Sequence, residues 1–207
     1  MYMPGQLIVA AGLPGAGKST VMASLAGLMN VPVLLEPEEE KWGRAVWDRE
    51  QCGRFTALMW FRSARVPLLY EAHARRKRGE TVLLDTYYDK LITHYIGKPG
   101  IEWLIAPDDP YFEVAQRVAA LDYAGLPDAD VVVLFHVDQE TWSRLLLQRS
   151  RSFDQAIGLS SEFQAQEHIL DAARRFAHDR GARAVEFHQA FDSPDAAARR
   201  LLRILSA

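Results

Sequence analysis

Five short apolar runs punctuate the chain, separated by stretches whose apolar residues recur at spacings of three and four. The runs are Gln6 to Ala11 (QLIVAA), Val31 to Leu35 (VPVLL), Thr81 to Asp85 (TVLLD), Asp130 to Val137 (DVVVLFHV) and Arg183 to Phe187 (RAVEF). Their central residues are apolar in succession, as expected of strands covered on both faces. The last run is the least regular because it contains Glu186. Lys18 to Met29, Gln51 to Arg78, Pro110 to Tyr123, Gln139 to Arg149, Ser160 to Arg180 and Pro194 to Leu205 read as amphipathic helices. Ser193 before Pro194 is a helix start, Gly79 and Gly181 fit helix ends, and Pro67 should kink or divide its long helix. Alternating strands and helices predict an α/β fold, a parallel sheet with helices on both sides, in one domain over residues 1–207.

One segment carries chemistry on its face. Gly12-Leu13-Pro14-Gly15-Ala16-Gly17-Lys18-Ser19 matches the GxxxxGK[ST] pattern in full, between the first strand and the first helix. Such a loop turns several backbone N–H groups towards a phosphate, and the helix N-terminus adds partial positive charge. Lys18 reaches towards the β- and γ-phosphates, the Ser19 hydroxyl suits magnesium, and Thr20 completes the nucleotide-binding stretch 12–20.

Composition narrows the class. With 207 residues, 49% hydrophobic and 25% charged, the chain is an ordinary globular protein. A net charge of −3 argues against a general nucleic-acid-binding surface. Cys52 is the only cysteine, so no internal disulfide forms, and it reads as a small, partly buried residue. No basic start precedes an apolar run, and no stretch nears the roughly 18 apolar residues of a membrane span. Together these features place the protein in the cytoplasm, away from membranes.

A phosphate loop alone does not separate kinases, GTPases, transporters and regulators. No Asn-Lys-x-Asp and no Leu-Ser-Gly-Gly-Gln stretch occurs, which leaves small-molecule kinases. Glu36, just past the second strand, is placed to take a proton from an acceptor hydroxyl, whereas Glu38, Glu39 and Glu40 read as a solvated acidic run. Asp85, closing the third strand, suits magnesium, with helix capping as its alternative role. Arg149 and Arg151 read as arginines of a lid that closes over the phosphates, although basic residues at a helix end also complement its dipole.

These residues together resemble the deoxynucleoside kinases and their relative thymidylate kinase. The stretch Glu36-Pro37-Glu38-Glu39-Glu40-Lys41-Trp42 is similar to the family's Glu-Pro…Glu-Lys-Trp segment with one residue added. The resemblance implies that Glu36 is the catalytic base and that Trp42 lines the nucleoside pocket. Phe61-Arg62 falls where the family carries a Phe-Gln pair that grips the base, and Asp85 where its Glu-Arg-Ser or Asp-Arg motif begins. Arg149-Ser150-Arg151 looks like the lid's Arg-x-Arg, and Asp154 sits where a lid glutamate contacts the sugar 3′-hydroxyl. Phe191-Asp192 lies in the loop near adenine in relatives, which often dimerise through helices.

Three positions depart from the pattern. Thr86 stands where an arginine is expected, Arg62 replaces the base-reading glutamine, and Arg144 is five residues before Arg149 where relatives show four. Arg62 suits either a negatively charged acceptor or a partner among Glu38 to Glu40. Tyr87, Tyr88, Trp47 and Trp60 are read as core aromatics more readily than as a base stack. The expectation is a P-loop kinase with strand order 2-3-1-4-5, a helical lid near 149–160, and transfer of the ATP γ-phosphate, with Mg²⁺, to a nucleoside-like hydroxyl. The alternatives are a monophosphate kinase, a phosphotransferase for an antibiotic or other alcohol, and a nucleotide-binding regulator without activity.

Overall fold

The computed structural model describes residues 5–149 and 163–207. Among these, five strands form one parallel sheet: β1 (Leu7–Gly12), β2 (Val33–Leu34), β3 (Val82–Leu84), β4 (Val131–His136) and β5 (Arg183–His188). Their order across the sheet is β2-β3-β1-β4-β5, as expected. The register pairs Val9 with Leu84 and with Val132, and Leu34 with Leu84. The carboxyl ends of β2, β3 and β1 therefore lie side by side.

Successive strand residues point to opposite faces, and both faces are buried. On one side Ile8, Ala10 and Val133 pack under α1 (Lys18–Met29) and the C-terminal helix (Pro194–Ser206), through Met22, Leu25 and Leu201. Leu7, Val9, Val132 and Leu134 face the opposite layer. That layer is built from the long helix Arg54–Lys77, the helix Phe112–Gly125 and the helix Ala165–Arg180. Edge strand β5 keeps Val185 and Phe187 inside and turns Glu186 out, where Arg174 meets it at 2.9 Å. This alternation explains why that run looks irregular in sequence.

Between β2 and the long helix the chain forms two single-turn helices, α2 (Arg44–Trp47) and α3 (Arg49–Cys52). The sequence pattern had merged the second of these with the long helix, α4 (Arg54–Lys77). Gly53 separates them with φ +86°, a conformation that side chains other than glycine rarely adopt. Cys52, expected to be partly buried, is exposed on α3. Beyond β3 come α5 (Tyr88–Leu91), α6 (Phe112–Gly125), α7 (Gln139–Arg149), α8 (Ala165–Arg180) and α9 (Pro194–Ser206). The Ser193 hydroxyl accepts from the Ala196 N–H, capping α9, and Gly181 ends α8 in the left-handed conformation.

Pro67 does not divide α4, which runs unbroken over 24 residues. A proline inside a helix costs about 3 kcal/mol. Leu58, Leu69 and Ala72 are buried from this helix, and each fully buried leucine recovers roughly 1.5–3 kcal/mol. Packing outweighs the missing hydrogen bond. No described helix is long and apolar enough to cross a membrane.

Because Pro67 is exposed, Pro67→Ala should stabilise the fold. The expected gain is about 1–2 kcal/mol after allowance for the freer unfolded chain. Urea denaturation measures it.

Candidate active site

A cavity of about 900 Å³ opens at the carboxyl ends of β1, β2 and β3. The loop from Gly12 to Ser19 forms one wall, with Glu36, Trp42, Phe61 and Asp85 on the other sides. Gly15 has φ +79°, which side chains rarely adopt, and a Cβ there would stand 2.4 Å from Leu146 Cδ2, so a larger residue would strain the backbone and displace the leucine. Helix α7 clasps the loop from above. Buried Trp142 donates its indole N–H to the Pro14 carbonyl at 2.9 Å.

Lys18 lies at the centre. Its ammonium donates to the carbonyls of Gly12 and Leu13, at 3.1 and 2.7 Å, and to the Tyr88 hydroxyl at 2.9 Å. Tyr88 in turn donates to the Gly12 carbonyl at 2.7 Å. Burial pushes Lys18 down to about 8, while the charges of Glu36 and Asp85 pull it back up.

The two carboxylates are joined through the backbone. Pairing of Leu34 with Leu84 brings residue 36 beside residue 85, and the Glu36 N–H donates to Asp85 Oδ1 at 3.1 Å. Asp85 is 2% exposed and accepts from the Ser19 hydroxyl. Burial, then the neighbouring charge of Glu36, pushes it up to about 6. A hydroxyl and a carboxylate side by side form a hard-oxygen donor set of the kind magnesium takes alongside phosphates. No described group of three His, Cys, Asp or Glu residues could hold a metal unaided. Ser19 and Asp85 thus fit a magnesium ion that arrives with a nucleotide.

The acceptor side differs from expectation at one residue. Arg62 does not line the cavity. Its guanidinium grips Asp122 of α6 through two bonds of 2.6 and 2.7 Å, and none of Glu38 to Glu40 is its partner. Helix geometry explains this: residue 62 is rotated about 100° from Phe61, whereas residue 65 returns to nearly the same face. Arg65, not Arg62, is the arginine that this helix face turns to the cavity beside Phe61. Nearly buried, it holds Asp89 through 2.7 and 3.1 Å contacts and reaches Glu36 at 3.5 Å. Its carboxylate neighbours raise the pKa of the guanidinium above the usual arginine value despite burial.

Trp42 and Phe61 meet edge to face at 5.3 Å between ring centres and both line the cavity, as does Trp103. Tyr95, which nothing in the local sequence marked, lines it too. Of the two neighbouring tyrosines, Tyr88 faces the site and Tyr87 is core, bonded to Pro127 and Ala129. Thr86 is buried behind β3. Arg149 lines the cavity, whereas Arg144 stacks over Phe191 at 3.8 Å outside it. Asp192 lines the cavity and pairs with Arg200. Arg151, Asp154 and the expected lid beyond residue 149 lie outside the described residues.

No family model matches the sequence, and no curated protein matches it. Solved structures do. Deoxyadenosine kinase from M. mycoides, with bound dATP, superposes with a TM-score of 0.73 at 17% identity, over 97% of this chain and 100% of that one. Thymidylate kinase from Ehrlichia chaffeensis gives 0.55 at 15% identity, over 97% and 98% of the two chains. Thymidylate kinase from Candida albicans gives 0.57 at 17%, over 100% and 93%. The fold is that of deoxynucleoside and thymidylate kinases. Within this kinase fold the phosphate loop, Glu36 and Asp85 share one cavity, although identities below a fifth fix the fold and not the substrate.

Two outcomes are expected. Asp85 has a folded pKa of about 6 against an ordinary 3.8, so its burial as an anion destabilises the protein above pH 6, and the penalty fades as pH falls towards 4. Asp85→Asn should therefore raise stability at pH 8, by an amount on the order of 1–3 kcal/mol, and by less at pH 4.5. Thermal melts at the two pH values check it. Arg62→Ala should cost about 1–2 kcal/mol through loss of the Asp122 pair, discounted for partial exposure, and leave ligand affinity unchanged.

Proposed function

We propose that the protein is an ATP-dependent phosphotransferase that moves the γ-phosphate to a hydroxyl of a nucleoside-like acceptor. The observation that carries this reading is the juxtaposition of Lys18, the Ser19–Asp85 pair and Glu36 around a single cavity. The deoxyadenosine kinase and thymidylate kinases that share the fold supply the analogy for the acceptor.

The N–H groups of residues 12–20 and the N-terminus of α1 cradle the phosphates. Lys18 exchanges its carbonyl partners for phosphate oxygens, a change its movable stem permits. Ser19 and Asp85 would hold magnesium, which supplies positive charge for the phosphoryl oxygens. Glu36 accepts the acceptor's hydroxyl proton as that oxygen bonds to the γ-phosphorus, the bond to the β-phosphate oxygen breaks, and ADP departs. Arg149, with Arg151 from the lid, stabilises charge on the transferring group. Trp42 and Phe61 present flat apolar faces to a planar base. Arg65, 3.5 Å from Glu36, brings a guanidinium to the carboxylate that Thr86 cannot serve.

The test is transfer of label from γ-labelled ATP to a panel of nucleosides, nucleotides and unrelated alcohols. Lys18→Ala should abolish transfer. Glu36→Gln should lower kcat by roughly 10²–10⁴-fold while ATP affinity changes little. Unchanged kcat in that variant would remove Glu36 as the base. Binding of ATP with no acceptor-stimulated release of ADP would leave a regulator instead.

A further inference from the structure

The ammonium that meets the phosphates in the proposed reaction has no N–H to spare. A lysine carries three donors and no acceptor. Lys18 gives one N–H to the Gly12 carbonyl at 3.1 Å, one to the Leu13 carbonyl at 2.7 Å and one to the Tyr88 hydroxyl at 2.9 Å. Tyr88 closes a triangle, since its own O–H goes to the same Gly12 carbonyl at 2.7 Å. The directions are fixed, because an ammonium only donates and a carbonyl only accepts. The tyrosine opens the single-turn helix α5, three residues beyond Asp85. Its ring is held between two cations, with Lys18 Nζ 5.2 Å and the Arg65 guanidinium 5.5 Å from the ring centre.

The partners respond differently when Lys18 turns to a phosphate. The Leu13 carbonyl keeps the Ala16 N–H at 3.2 Å, and the Gly12 carbonyl keeps the Tyr88 O–H. The Tyr88 hydroxyl therefore acts twice. Its lone pair binds the ammonium and opposes release, whereas its O–H satisfies Gly12 and eases release. A bond to an ammonium is roughly twice as strong as one between neutral groups. Buried carbonyls, with two lone pairs, also tolerate a missing donor better than N–H groups do. Opposition wins.

We infer that Tyr88 is a latch on Lys18: its hydroxyl holds the place of a phosphate oxygen on the ammonium, and a triphosphate must displace it. Tyr88 thereby keeps Lys18 paired and lowers nucleotide affinity, and the latch closes again as ADP leaves. This rests on the nucleotide-binding half of the phosphotransferase reading and adds a residue that sets how tightly that half binds.

The experiment is calorimetric titration of the full chain and of Tyr88→Phe, which keeps the ring between its two cations. The ligands are a non-hydrolysable ATP analogue with Mg²⁺, and AMP, which lacks the phosphates that Lys18 meets. The variant should bind the analogue about three- to tenfold more tightly and show no gain for AMP. Unchanged or weaker binding of the analogue, or an equal gain for AMP, overturns the latch. Should the variant fail to fold, a wild-type crystal structure with the same analogue decides: Lys18 Nζ is expected to have left the Tyr88 hydroxyl, and a retained bond overturns the inference. Wild-type binding without a gain in the variant removes the latch and leaves the phosphotransferase reading standing. A gain with no transfer to any acceptor upholds the latch and contradicts that reading, and a wild type that binds no Mg-nucleotide overturns both.

Discussion

An ammonium held out of water needs compensation, and the site is arranged around that need. Lys18 lies on its own loop's carbonyls, with Glu36 and Asp85 near enough to pull its pKa back towards ordinary. Those carboxylates are near because β2, β3 and β1 are parallel neighbours ending at one level. A reordered sheet would part them, and Lys18 would lose charge by burial alone. The carboxylates depend on Lys18 in return, since Asp85 is itself raised by burial and by Glu36. The three groups form one electrostatic unit, and a triphosphate with its cation is the kind of ligand that relieves both strains together.

The second constraint is mechanical. Gly15 packs against Leu146, and Trp142 holds the Pro14 carbonyl. Helix α7, which ends at Arg149, is thereby fixed to the phosphate loop.

Much of this was legible in the sequence, for identifiable reasons. The parallel sheet and the phosphate loop follow from buried strands and a loop pattern rich in glycine, whereas the strand order came with the resemblance to P-loop kinases. Residues 39–52 were less legible, because single-turn helices carry too few residues to show a period, and Gly53 interrupts a pattern that otherwise reads as continuous. Arg62 was assigned to the acceptor by its place beside Phe61. The spacing of four from Phe61 to Arg65 was the signal that distinguishes the cavity face from the face turned to Asp122. Tyr95 had no comparable signal, since it follows a single 3-10 turn too short to show a period.

The central claim is that the backbone around Gly12 to Ser19 embraces a triphosphate whose terminal phosphorus faces Glu36. A crystal structure with Mg²⁺, a non-hydrolysable ATP analogue and a bound nucleoside tests it most directly. The account predicts Lys18 Nζ moved from the Gly12 and Leu13 carbonyls onto the terminal phosphate, with the Glu36 carboxylate against the acceptor hydroxyl. An analogue seated elsewhere, or Glu36 turned away from that hydroxyl, would contradict it.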